Sequence, residues 1–429
     1  MTDYSRRRLL RSGLWASAAL SLPLAGMTGC NQRRKAKVLV IGAGFAGATA
    51  ARYLAMWDPS LDITLIERHT QFISCPQSNM VLSDSRQLTQ LTRDYHSMSL
   101  ENNLQFRQAR VEAIDTERQQ VYLAGGERLA YDRLIIAPGI ELVYDNLPML
   151  ASPEAQQHIP HAWKAGPQTD LLRRQIGAMP TGGTVVMTVP MAPYRCPPGP
   201  YERACHIALY LKRHNPTAKL LVLDANPDIT SKKDLFVEAW QQLYPGLIEY
   251  IPTSGIDSVD VAQRSVETLF DSYQADVLNV IPPQRAGKVA EMAGVINIDE
   301  RWCDVDYLTY ESTAVPKVHV IGDAVAAKVP KSGHIANQQA KVCAAAVINL
   351  LKDQKPEQMP VFSNTCYSFI DDKQAGHVAA VYRYDADSQD MLPMPGGGVS
   401  PHGSELEGRY AEAWAQNIWV DMLGPKRRS

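Results

Sequence analysis

The sequence predicts an α/β protein: two doubly wound dinucleotide-binding units followed by a C-terminal α+β domain. Three observations predict it. An apolar strand runs into glycine three times, in 37-KVLVIGAGFAG-47, 133-RLIIAPG-139 and 318-VHVIGDA-324. Between the second and third lies a separate strand, helix and strand pattern, 184-TVVMTV-189, 201-YERACHIALYLKRH-214 and 219-KLLVLDA-225. A chain of 429 residues also exceeds one ordinary core. The expected divisions are a leader over 1–30, a discontinuous first domain over 36–148 and 275–354, a second domain over 149–274, and a C-terminal domain over 355–429.

The leader is legible in 5-SRRRLLRSGLWASAALSLPLAG-26, where a basic head precedes an apolar run too short to span a membrane. Adjacent arginines followed by Leu9 and Leu10 make it a twin-arginine signal, so a periplasmic location is expected. It ends at 27-MTGC-30, which resembles a lipoprotein cleavage box. Either Cys30 is lipidated and tethers the protein to the membrane, or a plain cut nearby leaves it lost or free. A composition of 45% hydrophobic and 21% charged residues with a formal charge of -2 fits a soluble globular protein and offers nothing to a nucleic acid. In an oxidising compartment, cysteines that meet in space join. The seven cysteines are too widely spaced for a disulfide scaffold or a zinc ribbon, so no metal site is expected. No C-x-x-C-H attaches a haem, which places any haem c on a partner chain.

In the first unit, Val38 to Ile41 lead into Gly42, Gly44 and Gly47, a G-x-G-x-x-G with the strand before it and the helix behind it that the motif requires. The first two glycines let the backbone approach a pyrophosphate, and the third lets the helix pack on the strand. The strand 63-ITLIE-67 ends in Glu67, placed to accept from an adenosine ribose. Asp323, at the third strand end, can hold the ribityl or pyrophosphate part of a flavin dinucleotide. Three strand ends spread this widely indicate one FAD domain with an insertion. The expected FAD-binding set is Gly42, Gly44, Phe45, Ala46, Gly47, Glu67, Arg68, Cys75, Asn79, Val111, Ala137, Gly139, Gly322, Asp323 and Lys331.

In the second unit, the turn where phosphate-binding glycines belong is 190-PMAPYRCPPGP-200, with five prolines, one glycine and Cys196. Prolines remove donors, so no nicotinamide site is expected and another electron donor can reach the flavin face. A disulfide beside a flavin is a two-electron relay. Cys366, read here as lying in a polar turn of 360-PVFSNTCYSFI-370, is the candidate second sulfur. Spacing fits a relay and two separate structural cysteines equally. Glu202 reads first as an acid complementing the helix dipole, and alternatively as a proton acceptor near sulfur. Cys75, in 71-QFISCPQSNM-80, either packs against the flavin or bonds to it. Cys205, Cys303 and Cys343 read as helix or core residues.

From about 36 to about 420 the chain resembles the flavoprotein subunit of flavocytochrome c sulfide dehydrogenase. The resemblance rests on 139-GIELVYD-145, 161-HAWKAG-166, 195-RCPPGPYERA-204, 279-NVIPPQRAGK-288, 331-KSG-333 and 364-NTCYS-368. It implies a glutathione-reductase-like fold and a redox-active disulfide between Cys196 and Cys366, with Glu202 beside it. It also implies FAD carried on Cys75 through an 8α thioether, a c-type cytochrome subunit as partner in a heterodimer, and oxidation of sulfide to sulfur or polysulfide. Two positions depart from the family pattern, Pro76 after Cys75 and His334 where the family has tyrosine. The rival readings are a membrane-associated sulfide:quinone oxidoreductase, a non-catalytic flavin-containing persulfide carrier, and an NAD(P)H-dependent disulfide reductase. The C-terminal 410-YAEAWAQNIWVDMLGPKRRS-429 lacks the long apolar faces of membrane-inserting helices.

Overall fold

The computed structural model describes residues 34–96, 98 and 103–425. The expected leader, its twin arginines and Cys30 lie outside the described residues. Five parallel strands form the first sheet, in the order Val318–Val320, Arg133–Ile136, Lys37–Ile41, Asp62–Glu67, Leu104–Gln108. The central strand is apolar almost throughout because both its faces are covered, and Val38 and Val40 are fully buried. All three predicted strand ends therefore meet at one edge, as a single domain interrupted by an insertion requires.

The helix Phe45–Trp57 follows the glycine turn. Gly42 has φ +94°, and a Cβ there would stand 2.4 Å from the Ala137 carbonyl oxygen. A Cβ on Gly47 would stand 1.8 Å from the Gly42 carbonyl oxygen. Close packing of helix, turn and the Arg133–Ile136 strand end thus depends on both residues lacking a side chain.

The second sheet is also parallel, in the order Ile248–Ile251, Lys219–Asp224, Thr184–Val189, Val277–Val280. Its last member corrects the expected boundary at 274. Val277–Val280 pairs with Val185–Thr188 and is buried throughout, so the second domain extends past it. The short antiparallel pair Ile140–Leu142 and Gln284–Ala286 carries the chain out of the first domain and back.

The C-terminal part is α+β, with the antiparallel strands Val361–Phe369, Ala375–Asp385 and Asp390–Pro393 and the helix Glu405–Leu423. That helix is pinned to the first domain through Asp421, which accepts from Tyr53 Oη at 2.6 Å and Asn337 Nδ2 at 2.7 Å and pairs with Lys341 Nζ at 2.8 Å. Burial opposes ionisation of Asp421, but Lys341, Tyr53 and Asn337 outweigh it and hold the carboxyl below its ordinary range. A group with a lowered folded pKa stabilises above its unfolded pKa and loses that contribution as pH falls through the folded one. Asp421→Ala is expected to cost about 1–3 kcal/mol at neutral pH and less in acid, read from urea midpoints at several pH values.

Candidate active site

Where the two dinucleotide-binding folds and the C-terminal sheet meet, they enclose a cavity of about 310 Å³. Gly44, Phe45 and Ala46 line it from the glycine turn, Ala137 and Gly139 from the second strand end, and Gly322 and Asp323 from the third. Cys75 and Asn79 line it from the loop after the Gln71–Ile73 strand. Cys196, Glu202 and Cys366 line the same cavity. Twelve of the expected site residues are thus gathered on one surface. Gly42 and Gly47 stand behind it as packing positions.

The residues fit FAD. Gly44 caps its helix without a side-chain hydrogen bond, and a Cβ there would meet nothing within 4 Å, so backbone donors at the helix start face open space. The Glu67 carboxylate braces the turn, accepting from the amides of Ala43 and His69 at 2.9 Å each. Gln77 lines the cavity at 5% exposure, and neither polar atom of its side-chain amide has a partner, a configuration that suits a polar ligand. Arg68 and Val111 lie off the cavity wall, Val111 within the core. Lys331 is a buttress: its Nζ donates to the carbonyls of Asp323 (2.9 Å) and Val325 (2.7 Å), and its own carbonyl accepts from the Cys196 amide at 2.8 Å.

Cys196 sits at φ +60°, a conformation costing a non-glycine residue roughly 1–2 kcal/mol. Two backbone hydrogen bonds hold it: the Cys196 amide to the Lys331 carbonyl and the Gly199 amide to the Cys196 carbonyl, each at 2.8 Å. A Cβ on Gly199 would stand 2.8 Å from Trp163 Cη2 and 3.0 Å from Cys196 Sγ, so this glycine makes room for an indole and a sulfur. The helix behind the turn is Gly199–His214, two residues longer at its start than the sequence pattern suggests.

Cys366 is not in a turn. It lies within the strand Val361–Phe369, paired with Val378. Its polar neighbours misled the reading because this strand turns Asn364 and Ser368 inward, where Asn364 accepts from Ser332 Oγ at 2.9 Å and Ser368 from Lys232 Nζ at 2.8 Å. Both cysteines are free thiols in this structure. Burial pushes the Cys196 thiol well up, and charge on Cys366 or Glu202 would push it further, against Arg195 and Lys232. Burial likewise raises Cys366, opposed by Lys232. Charge on Cys366 thus disfavours charge on Cys196.

Glu202 is 7% exposed and accepts from Asn79 Nδ2 and the Phe369 amide, each at 2.8 Å. Burial raises its pKa, and Phe369, Asn79, Lys232 and Arg203 work against the rise. It is therefore more than a surface acid at a helix start. The cations that line the cavity beside it, of which only Arg203 is buried, were not among the residues expected at the site. Arg203 binds only neutral acceptors, Asn79 Oδ1, Asn279 Oδ1 and the carbonyls of His161 and Ala162, and burial followed by Arg195 lowers it to about 9. Arg195 binds the Trp163 carbonyl. Lys164 also lines the cavity but is exposed to solvent. These cations, against Glu202 and Asp323, make the cavity attractive to anions. Arg195 and Arg203 lie inside the motif 195-RCPPGPYERA-204, so a signal existed.

Comparisons with known proteins agree. Residues 169–282 match the family model described as sulfide dehydrogenase [flavocytochrome c] flavoprotein chain, central, and residues 358–423 match flavocytochrome c sulphide dehydrogenase, flavin-binding. Residues 36–163 match pyridine nucleotide-disulphide oxidoreductase. The chain is 51% identical over 45 residues to the sulfide dehydrogenase [flavocytochrome c] flavoprotein chain of Chlorobaculum thiosulfatiphilum, covering 10% of this chain and 94% of that sequence. It is 22% identical over 377 residues to the mitochondrial sulfide:quinone oxidoreductase of Mus musculus, covering 82% of this chain and 80% of that one. The solved sulfide:quinone oxidoreductase of Aquifex aeolicus superposes with a TM-score of 0.73 at 19% identity over 91% of this chain and 92% of that chain, a likeness of fold. Together with the cavity, these matches show that the chain belongs to the flavocytochrome c sulfide dehydrogenase flavoprotein family of FAD-dependent pyridine nucleotide-disulfide oxidoreductases.

Proposed function

We propose that the chain oxidises sulfide through a disulfide formed by Cys196 and Cys366 and passes the electrons to a c-type cytochrome. The observation that carries this reading is that Cys196, Cys366 and Glu202 line the same cavity as the FAD-binding strand ends. FAD bound in this cavity supplies a two-electron acceptor able to release electrons singly. The cations lining the cavity draw HS⁻ inward. HS⁻ attacks one sulfur of the disulfide, the bond between the two cysteines breaks, a new sulfur–sulfur bond forms, and the other cysteine leaves as a thiolate. A second HS⁻ attacking the outer sulfur of the persulfide forms a new sulfur–sulfur bond and breaks the bond to the cysteine, so HSS⁻ leaves and the cysteine pair is left reduced, its two electrons to be taken up by FAD when bound.

Glu202 takes the proton when sulfide arrives as H₂S. Glu202→Gln is expected to slow sulfide oxidation by about 100-fold at mildly acidic pH. The loss shrinks at alkaline pH, where sulfide is already HS⁻. A pH–rate profile of both proteins reads this.

A quinone as acceptor is the second reading, favoured by the likeness along most of the chain to proteins named sulfide:quinone oxidoreductase. Steady-state assays with a soluble c-type cytochrome and with a short-chain quinone decide between them; reduction of quinone alone sinks the cytochrome reading. Attachment of FAD to Cys75, and export to the periplasm by residues 1–30 with or without a lipid on Cys30, belong to the same proposal. Flavin fluorescence on a denatured protein band tests the first, and the mature N-terminus tests the second.

A further inference from the structure

Lys232 is buried, 6% exposed, at φ +55° immediately before the helix Lys233–Leu243 of the second domain. Its ammonium reaches across to the C-terminal sheet. It donates to the Cys366 carbonyl at 2.6 Å and to Ser368 Oγ at 2.8 Å, with the Gly376 carbonyl at 3.5 Å. All three acceptors are neutral. A buried ammonium that satisfies only neutral acceptors retains a positive charge that favours an anion nearby. The ionisable groups facing it are Cys366 on the strand, Glu202 and Cys196 on the helix and turn, and Glu407 on the C-terminal helix. Both carboxylates are already engaged, Glu202 by Asn79 and the Phe369 amide, and Glu407 by His377 at 2.8 Å.

We propose that Lys232 is a positioning residue and counter-ion for Cys366: it fixes the strand that carries this cysteine and supplies the charge against which its sulfur leaves as a thiolate. This rests on the sulfide-oxidising reading and assigns the two sulfurs different parts. HS⁻ bonds to Cys196 Sγ, the bond from Cys196 to Cys366 breaks, and the bonding pair departs on Cys366 Sγ. The proton stays on the incoming sulfur, and no outside oxidant enters this step. Arg195 is less suited to stabilise a departing Cys196 sulfur, because its charge also faces Cys75 and Asp323. Lys232 faces both sulfurs, but one of its hydrogen bonds holds the backbone of Cys366 and none holds that of Cys196. The arrangement also links the second domain to the C-terminal sheet at the residue where chemistry occurs.

The test is pH-dependent alkylation of Cys366 in the anaerobically reduced holoprotein, read by mass on its peptide. Lys232→Gln keeps hydrogen-bond donors and removes the charge. It should move the alkylation midpoint up by about one pH unit or more and slow sulfide oxidation by about tenfold, with the optimum displaced to higher pH. Lys232→Arg should restore the wild-type midpoint. A midpoint unchanged in Lys232→Gln overturns the proposal. If that variant does not accumulate as folded protein, the same midpoint is compared between wild type and Ser368→Ala, in which Lys232 keeps its charge and its bond to the Cys366 carbonyl; a midpoint shifted there as far as the proposal assigns to loss of the Lys232 charge overturns it. Peptide mapping of the oxidised wild type for a disulfide between Cys196 and Cys366 tests the underlying reading separately, since its absence would leave the alkylation result standing.

Discussion

Cys366→Ser is expected to lower sulfide-dependent reduction of the flavin by about a thousandfold or more while leaving FAD content and fold intact. The size follows from the role. Removing one sulfur abolishes the proposed disulfide outright; among the described residues Cys205, Cys303 and Cys343 are fully buried away from the cavity wall, and Cys75, which does line the cavity, is the residue proposed to carry FAD. Serine is nearly isosteric, and Cys366 Sγ makes only a weak contact with the Tyr367 carbonyl at 4.0 Å, so the strand should hold. Stopped-flow absorbance of wild type and variant, with FAD per chain measured beside it, gives the answer. Normal reduction in the variant would mean that the cysteine pair is not the relay.

The second large effect concerns the cofactor. Gly47→Ala is expected to reduce FAD occupancy to near zero and to lower thermal stability, because the new methyl would overlap the Gly42 carbonyl oxygen at 1.8 Å. Overpacking costs about 1–3 kcal/mol where side chains can yield, and here the obstacle is backbone. Gly44→Ala is the informative contrast. Its Cβ would meet nothing within 4 Å and would project into the cavity, so the apoprotein should be as stable as wild type while binding FAD weakly. Flavin absorbance per chain and melting temperatures with and without added FAD separate the two. Equal losses of stability would show that Gly44 is also a packing position.

The features legible in the sequence are the local ones. A strand, a tight turn and a helix are set by neighbours a few residues apart, so the glycine motif, Glu67 and the proline turn around Cys196 could be placed without coordinates. Features created by distant packing were not legible. Cys366 reads as a turn residue because the strand carrying it is polar, and it is polar because it faces Ser332 and Lys232, 32 and 134 residues away respectively from the atoms they meet there. Lys232 carries no local signal, since one domain supplies it and another uses it. The boundary at 274 failed for the same reason, as Val277–Val280 is apolar enough for either sheet and only its pairing with Val185–Thr188 assigns it. Glu202 was ambiguous because a first-turn acid looks the same whether it faces water or a sulfur pair. Arg203 was visible as a residue, but sequence alone could not show it to be buried on neutral acceptors.

The central claim is that sulfide is the electron donor and enters through the cysteine pair. An anaerobic titration of the purified holoprotein with sulfide, followed by absorbance and completed by adding a c-type cytochrome, tests it most directly. The account predicts that sulfide bleaches the flavin and that the cytochrome is then reduced. A flavin that stays oxidised under excess sulfide, or one that is bleached by NADH instead, would contradict it.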